Sequence, residues 1–366
     1  ASELGDGGRS APADFEALVD VLENYAHPSN AGRWTQTIAL FLSAAVKSFR
    51  ERCADETRDP PPRPAIRRFA RSAARLVSVG MYSKNATMRV VAASTAGQLA
   101  YLAPEQILPL VMRRFAEAVD DGSVATHQLA AALGALAACW RPAMFFASKT
   151  DATDVTDATD AMDASSSHDD IGDGFASDAV LPSFADLPPP GTFLAAALTA
   201  TIPGIDANDP SKTLGTIRLY AAAVSNAGVL ADPGEEGSDE RFPHVWSEWI
   251  DALLDRFFAF FENVDLGNAG KSDGADKSSH HGGDGGASYL MGSSSMYSPL
   301  MRLLFARMPV RSRERAVKKV ARFALSSTHA GLVGEVGQMI MAAATQCPEE
   351  ATTHLIAPLT EALRAE

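Results

Sequence analysis

The chain has 366 residues, 46% hydrophobic and 21% charged, enough material for one long domain or two ordinary ones. Its net charge of −13 gathers largely in two low-complexity tracts and so describes no folded acidic surface. Three widely spaced cysteines, Cys53, Cys139 and Cys347, give neither a disulfide framework nor a zinc pattern.

Aromatic residues make up 7% of the chain and alanine dominates the apolar set. Runs of alternating Val, Ile and Thr are missing, while 3.6-type spacing recurs throughout, so the prediction is an all-α protein. Asp14 is placed to cap a first helix that runs to about Ala26, with Phe15, Leu18, Val19, Leu22 and Tyr25 on its core stripe. Pro28 stops it. A second helix begins near Asn30, and Trp34, Ile38, Phe41, Leu42, Ala45 and Phe49 form its apolar face. Trp34 on that stripe reads as a core anchor rather than a binding aromatic.

After a proline-rich loop at 58–64, a helix over 65–79 carries Arg67, Arg68, Arg71 and Arg75. Arg67, Arg71 and Arg75 are four apart and share one side. They read as a solvated face, with a docking surface for an anion as the alternative. An alanine-rich helix follows over 85–102. Pro104 and Glu105 restart the chain with proline early and a carboxylate where the helix dipole favours it. Gly122 and Ser123 break that helix, and residues 126–140 form its partner. His127 has no ligand-type neighbour and reads as structural.

Aspartate then recurs at every third position (Asp151, Asp154, Asp157, Asp160, Asp163) without the order of a calcium loop, which predicts disorder. Structure resumes at Phe193 and reaches a corner at 201–214. There Pro203 and Gly204 stop one helix, Gly204 as a left-handed cap. Asp209 and Pro210 start the next, as N-cap and first helical residue. An acidic loop at 232–240 leads to the most apolar helix of the chain, with Val245, Trp246, Trp249, Ile250, Leu253, Leu254, Phe257, Phe258 and Phe261. A Gly/Ser/Asp-rich tract holding His280 and His281 comes next, and these adjacent histidines carry no metal site.

The last block reads as four helices. The second holds Arg311, Arg313, Arg315, Lys318, Lys319 and Arg322, again a solvated face with phosphate or nucleic-acid binding as the weaker alternative. The third places Leu332, Val333, Val336, Met339, Ile340 and Ala343 on one stripe. The start at Ala103-Pro104-Glu105, with a second proline at Pro109, is echoed at Cys347-Pro348-Glu349, with Pro358. Such weak, irregular repetition suits a HEAT-like α-solenoid of antiparallel helix pairs. The expected divisions are helical repeats at 13–148, 191–263 and 288–366. A disordered acidic insertion at 149–190 and a disordered Gly/Ser/Asp-rich insertion at 264–287 separate them.

Phosphate loops, nucleophile elbows, His-Glu-x-x-His and paired cysteines are all missing, so the expectation is a non-catalytic scaffold without metal or cofactor. No segment is expected to span a membrane. The start at Ala1 and the helix-like end suggest a piece of something longer. Residues alone reach "α-solenoid interaction protein", which leaves open another helical-repeat adaptor, of nuclear-transport or vesicle-coat type.

Four stretches carry a resemblance. They are His27-Pro28-Ser29-Asn30-Ala31-Gly32-Arg33-Trp34-Thr35; Tyr101 to Glu105 through Arg114-Phe115 to Thr126-His127-Gln128-Leu129; Pro203-Gly204-Ile205-Asp206 with Asn208-Asp209 and Ser211-Lys212; and Cys347-Pro348-Glu349-Glu350. Together, in this order, they resemble the middle region of the large, ATP-independent proteasome activators built from HEAT-like repeats (proteasome activator complex subunit 4 and its relatives).

The resemblance implies a segment of a dome that caps the 20S core particle. In that family the dome opens the gate and promotes ubiquitin-independent degradation. The family is linked to acetylated histones, DNA repair, the nucleus and the cytoplasm. Histone contacts would lie in regions other than this chain, and neither membrane nor direct nucleic-acid binding is expected. The family docks through a hydrophobic-aromatic-x tail, whereas this chain ends Leu363-Arg364-Ala365-Glu366, so its implied role is a structural wall. Inositol phosphates are implied at basic openings. By charge the candidates are Arg67, Arg71, Arg75, Arg311, Arg315, Lys318, Lys319 and Arg322.

Overall fold

The structure, a computed structural model, describes residues 11–27, 30, 32–120, 126–150, 184, 187–263, 297–326 and 333–365. All regular secondary structure among them is helical: α1 (Ala11–Tyr25), α2 (Arg33–Ala54), α3 (Arg63–Met81), α4 (Ala86–Leu102), α5 (Pro104–Asp120) and α6 (Thr126–Thr150). Then come α7 (Pro190–Ala200), a 3₁₀ turn (Ile202–Gly204), α8 (Pro210–Asn226), α9 (Trp246–Asn263), α10 (Tyr297–Arg307), α11 (Val310–Ser326) and α12 (Val333–Gln346). Pro348–Ala351 (α13), a π turn at Thr352–Ile356 and Ala357–Ala365 (α14) make one continuous C-terminal helix. The chain divides into two compact units, Ala1–Ala116 with Arg141–Phe193, and Glu117–Trp140 with Leu194–Glu366.

In the first unit α1 packs on α3, α2 on α4, and α3 on α4. Contacts that skip one helix are the mark of stacked pairs, where each layer takes alternate helices. Small residues allow the close approach: Ala73, Ala74, Ala92, Ala96 and Ala100 are buried. A Cβ on Gly80 would meet Met88 Cε at 2.7 Å. Asn85 starts α4 by accepting the Met88 N–H at 3.1 Å, a side-chain cap on an otherwise orphan donor. Phe69 of α3 stacks on Phe15 of α1 at 4.5 Å and on Phe49 of α2 at 3.9 Å, so one ring ties three helices together.

Several expectations for this end are corrected. Asp14 lies inside the first turn of α1 and does not cap it. Trp34 is 70% exposed, not a core anchor. The buried stripe of α2 is Thr35, Ile38, Ala39, Leu42 and Val46. Thr35 can enter the core because its hydroxyl donates to the Asn30 carbonyl at 3.0 Å, which removes the penalty for burying it. That choice turns Trp34 outward. Leu18 and Tyr25 of α1 are likewise exposed, while Val19 is buried.

In the second unit α10 packs on both α8 and α12, and α11 packs on both α9 and the π turn of the C-terminal helix. The same two-layer alternation is repeated there. α9 is buried on most of its circumference, from Trp246 to Phe261. α6 runs past its expected end at Trp140, through Pro142, to Thr150. Its stretch Gln128–Ala147 is long and apolar enough to cross a membrane, contrary to expectation, and half of that stretch is buried. Leu133, Leu136, Cys139 and Trp140 are among its buried residues, the pattern of a core helix.

At the edges of the expected acidic insertion, α6 reaches Thr150 and α7 begins at Pro190. Pro28, residues 121–125, most of that insertion and all of 264–287 lie outside the described residues.

The two echoed helix starts share a geometry. Ala103 (φ −143, ψ 68) and Cys347 (φ −134, ψ 62) are each a single buried residue between helices, followed by proline. Each donates its N–H back to the preceding helix, Ala103 to Leu99 at 2.9 Å and Cys347 to Ala343 at 2.8 Å. One non-helical residue turns the chain, and the proline next to it gives up a donor that the first helical turn would leave unused. Beyond Cys347 the π turn precedes Pro358, which cannot supply the N–H that a regular α-helix needs.

Candidate functional site: a bonded corner and two neutralised basic faces

The corner at 201–214 is held by side chains from three helices. Thr201 Oγ1 donates to the Ala197 carbonyl at 2.7 Å as α7 ends. The neighbouring Leu198 carbonyl accepts from Tyr220 Oη and from Trp249 Nε1, both at 3.3 Å. Arg256 reaches over from α9, and its Nε donates to the Ile205 carbonyl at 2.6 Å and its Nη2 to Pro203 at 3.3 Å. These are the carbonyls a helix end leaves unpaired.

On the other side of the turn, Asp206 Oδ1 accepts from the Asn208 N–H at 2.9 Å and Oδ2 lies 3.3 Å from Lys212 Nζ. The Asn208 N–H holds the Asp206 carboxyl below its usual range, partial burial opposes this, and Lys212 and Arg256 add to it. Thr213 Oγ1 donates to the Asp206 carbonyl at 2.7 Å and accepts the Asp206 N–H at 2.8 Å. Asp209 caps α8 through the Lys212 N–H at 2.9 Å, with Pro210 in the first turn.

Gly204 is required for a reason other than the expected one. Positive φ occurs, among the described glycines, at Gly234 and Gly237, so Gly204 is not a left-handed cap. A Cβ there would sit 2.3 Å from Thr216 Oγ1 on α8. The residue is a contact point between the corner and the next helix.

Beside the corner, His244 is 4% exposed, ringed by Phe242, Trp246 and Trp249, with Trp246 at 4.7 Å in edge contact. Burial pushes its pKa down to about 4, against the pull of Asp232.

The turn after α1 is built differently. Asn30 Nδ2 donates to the Tyr25 carbonyl at 3.2 Å. Gly32 precedes α2 in extended conformation with no side-chain cap. His27 is exposed, and Trp34 meets Tyr25 at 6.4 Å, both rings facing solvent. At the last family-like stretch, Pro348 opens α13 with Glu349 and Glu350 in its first turn. The Cys347 thiol lies 3.7 Å from the Phe305 carbonyl, and burial pushes its pKa up to about 11. That is an inert structural cysteine.

Most of the cations predicted as anion sites are occupied by carboxylates of the chain itself. Arg67 pairs with Glu105 at 3.0 Å, and Arg75 with Asp20 at 2.6 Å and also with Glu23. Arg315 pairs with Asp251 at 2.9 Å, Lys319 with Asp255 at 2.7 Å, Lys318 with Glu314 at 2.6 Å, and Arg311 with Glu235 at 3.6 Å. These pairs set carboxylates of α1, α5, α9 and the 232–240 loop beside the two faces, and Lys318 pairs within α11 itself. Arg71 and Arg322 are exposed and carry no ion pair among the described residues. No group of three or more potential metal ligands occurs among the described residues.

Local sequence reasoning missed Tyr220, Trp249 and Arg256 as the clasps of the corner. Arg256 is the one basic residue of α9, an available hint, but its target lies 51 positions away.

Alternating layers of paired helices, joined by proline-marked corners, define a HEAT-type helical-repeat protein. Residues 15–149 match the family described as proteasome activator complex subunit 4, mid HEAT repeats region. Proteasome activator subunit 4 of Arabidopsis thaliana is 30% identical over 359 residues, 96% of this chain and 18% of that protein. The chain is therefore similar to the middle region of the proteasome activator subunit 4 family. It spans less than a fifth of the length of that relative.

Proposed function

We propose that this chain is a structural wall segment of an ATP-independent proteasome activator. In this reading the whole protein caps the 20S core particle, opens its gate and promotes ubiquitin-independent degradation of peptides and proteins. The segment regulates a peptidase and is not one. The observation that carries the reading is the 30% identity to a proteasome activator subunit across 96% of the chain. Corners whose polar groups are spent on internal bonds agree with a role in holding shape. Nuclear and cytoplasmic residence, and a part in acetylated-histone turnover or DNA repair through other regions, belong to the same proposal. Among the candidate cations for an inositol phosphate, Arg71 and Arg322 are exposed and carry no ion pair among the described residues.

The test is affinity capture of the endogenous protein that contains this segment, followed by peptidase assays. Recovery of core-particle subunits and faster peptide hydrolysis are expected; coat or transport subunits in their place would overturn the assignment. The purified 366-residue chain should leave core-particle rates unchanged. Stimulation by this chain would overturn the wall role while keeping the family reading.

A further inference from the structure

We draw no further inference here: the strongest candidate, the cleft of about 570 Å³ between the last turns of α1 and α3 and the flank of α5, has its Arg114 donating to Ser78 and lying over the Tyr82 ring, and nothing in the structure shows what would occupy it.

Discussion

The turn after α1 and the corner before α8 both carry wording that resembles the same family, yet they spend their residues differently. At the corner, Asp206, Asp209, Thr213, Tyr220, Trp249 and Arg256 all bond to it or within it. At the turn, Asn30 and Thr35 make internal bonds, while Trp34 and Tyr25 stay in solvent. A distinctive motif is therefore no guide to burial. One is a clasp tied by side chains from its own loop and from two further helices; the other is a bend with an exposed aromatic rim.

The two tryptophans test this contrast most directly. Trp249 is 3% exposed, meets Tyr220 edge-on at 5.0 Å and donates to Leu198. Trp249→Ala should cost about 3–5 kcal/mol, since it leaves a large cavity and removes one of the donors to the Leu198 carbonyl. Urea denaturation followed by circular dichroism measures it. A loss below about 1 kcal/mol would mean that the corner is not a clasp.

Next in size is Gly204→Ala. Thr216 is fully buried and β-branched, so its Oγ1 has little freedom to retreat from a new methyl group. The expected cost is about 1–3 kcal/mol, the usual range for overpacking. Combined with Thr216→Ala the methyl gains room, so the double variant should be more stable than the sum of the single effects predicts. Simple additivity would place the constraint elsewhere.

Acid should reach the two regions unequally. His244 accepts a proton at about 4 when folded, against 6.5 ordinarily. Between those values the unfolded chain binds the extra proton, so stability is full above pH 6.5 and falls as the pH drops towards 4. His244→Leu should flatten that slope between pH 7 and pH 5, read as thermal midpoints. If the variant folds poorly, the His244 ring signals in the NMR spectrum of the native chain serve instead, and they should not titrate in that interval. Asp206 contributes later: its carboxyl is depressed below 3.8, so its share is lost only as the pH falls through that lower range.

Much of this was legible locally. Asp209-Pro210, Asn85 and Pro348 announce helix starts because capping depends on near neighbours alone. The apolar run from Trp246 to Phe261 announces a buried helix for the same kind of reason. The ion partners of the basic faces were not legible because most are remote: Glu105 is 38 residues from Arg67, and Asp251 is 64 from Arg315. Such half-exposed pairs add at most about 1 kcal/mol each, so their main consequence is to occupy cations that would otherwise attract anions. Trp34 was misplaced because two stripes on α2 share Ile38 and Leu42. The spacing alone does not choose between Trp34 and Thr35; packing on α4 and the Thr35–Asn30 bond do.

The smallest effect is expected at Trp34 itself. Its ring touches Tyr25 in a tilted pair, but both rings are more than half exposed, so little apolar area leaves water when they meet. Removal opens no cavity, and the α2 stripe of Thr35, Ile38 and Leu42 is untouched. Trp34→Ala should therefore change stability by no more than about 0.5 kcal/mol, the usual bound for surface sites. Indole fluorescence sharpens the point: quenching by acrylamide should fall in this variant, because the most accessible tryptophan has gone. A cost above about 1 kcal/mol with unchanged quenching would mean that Trp34 is buried after all, and the contrast between the open turn and the clasped corner would fail.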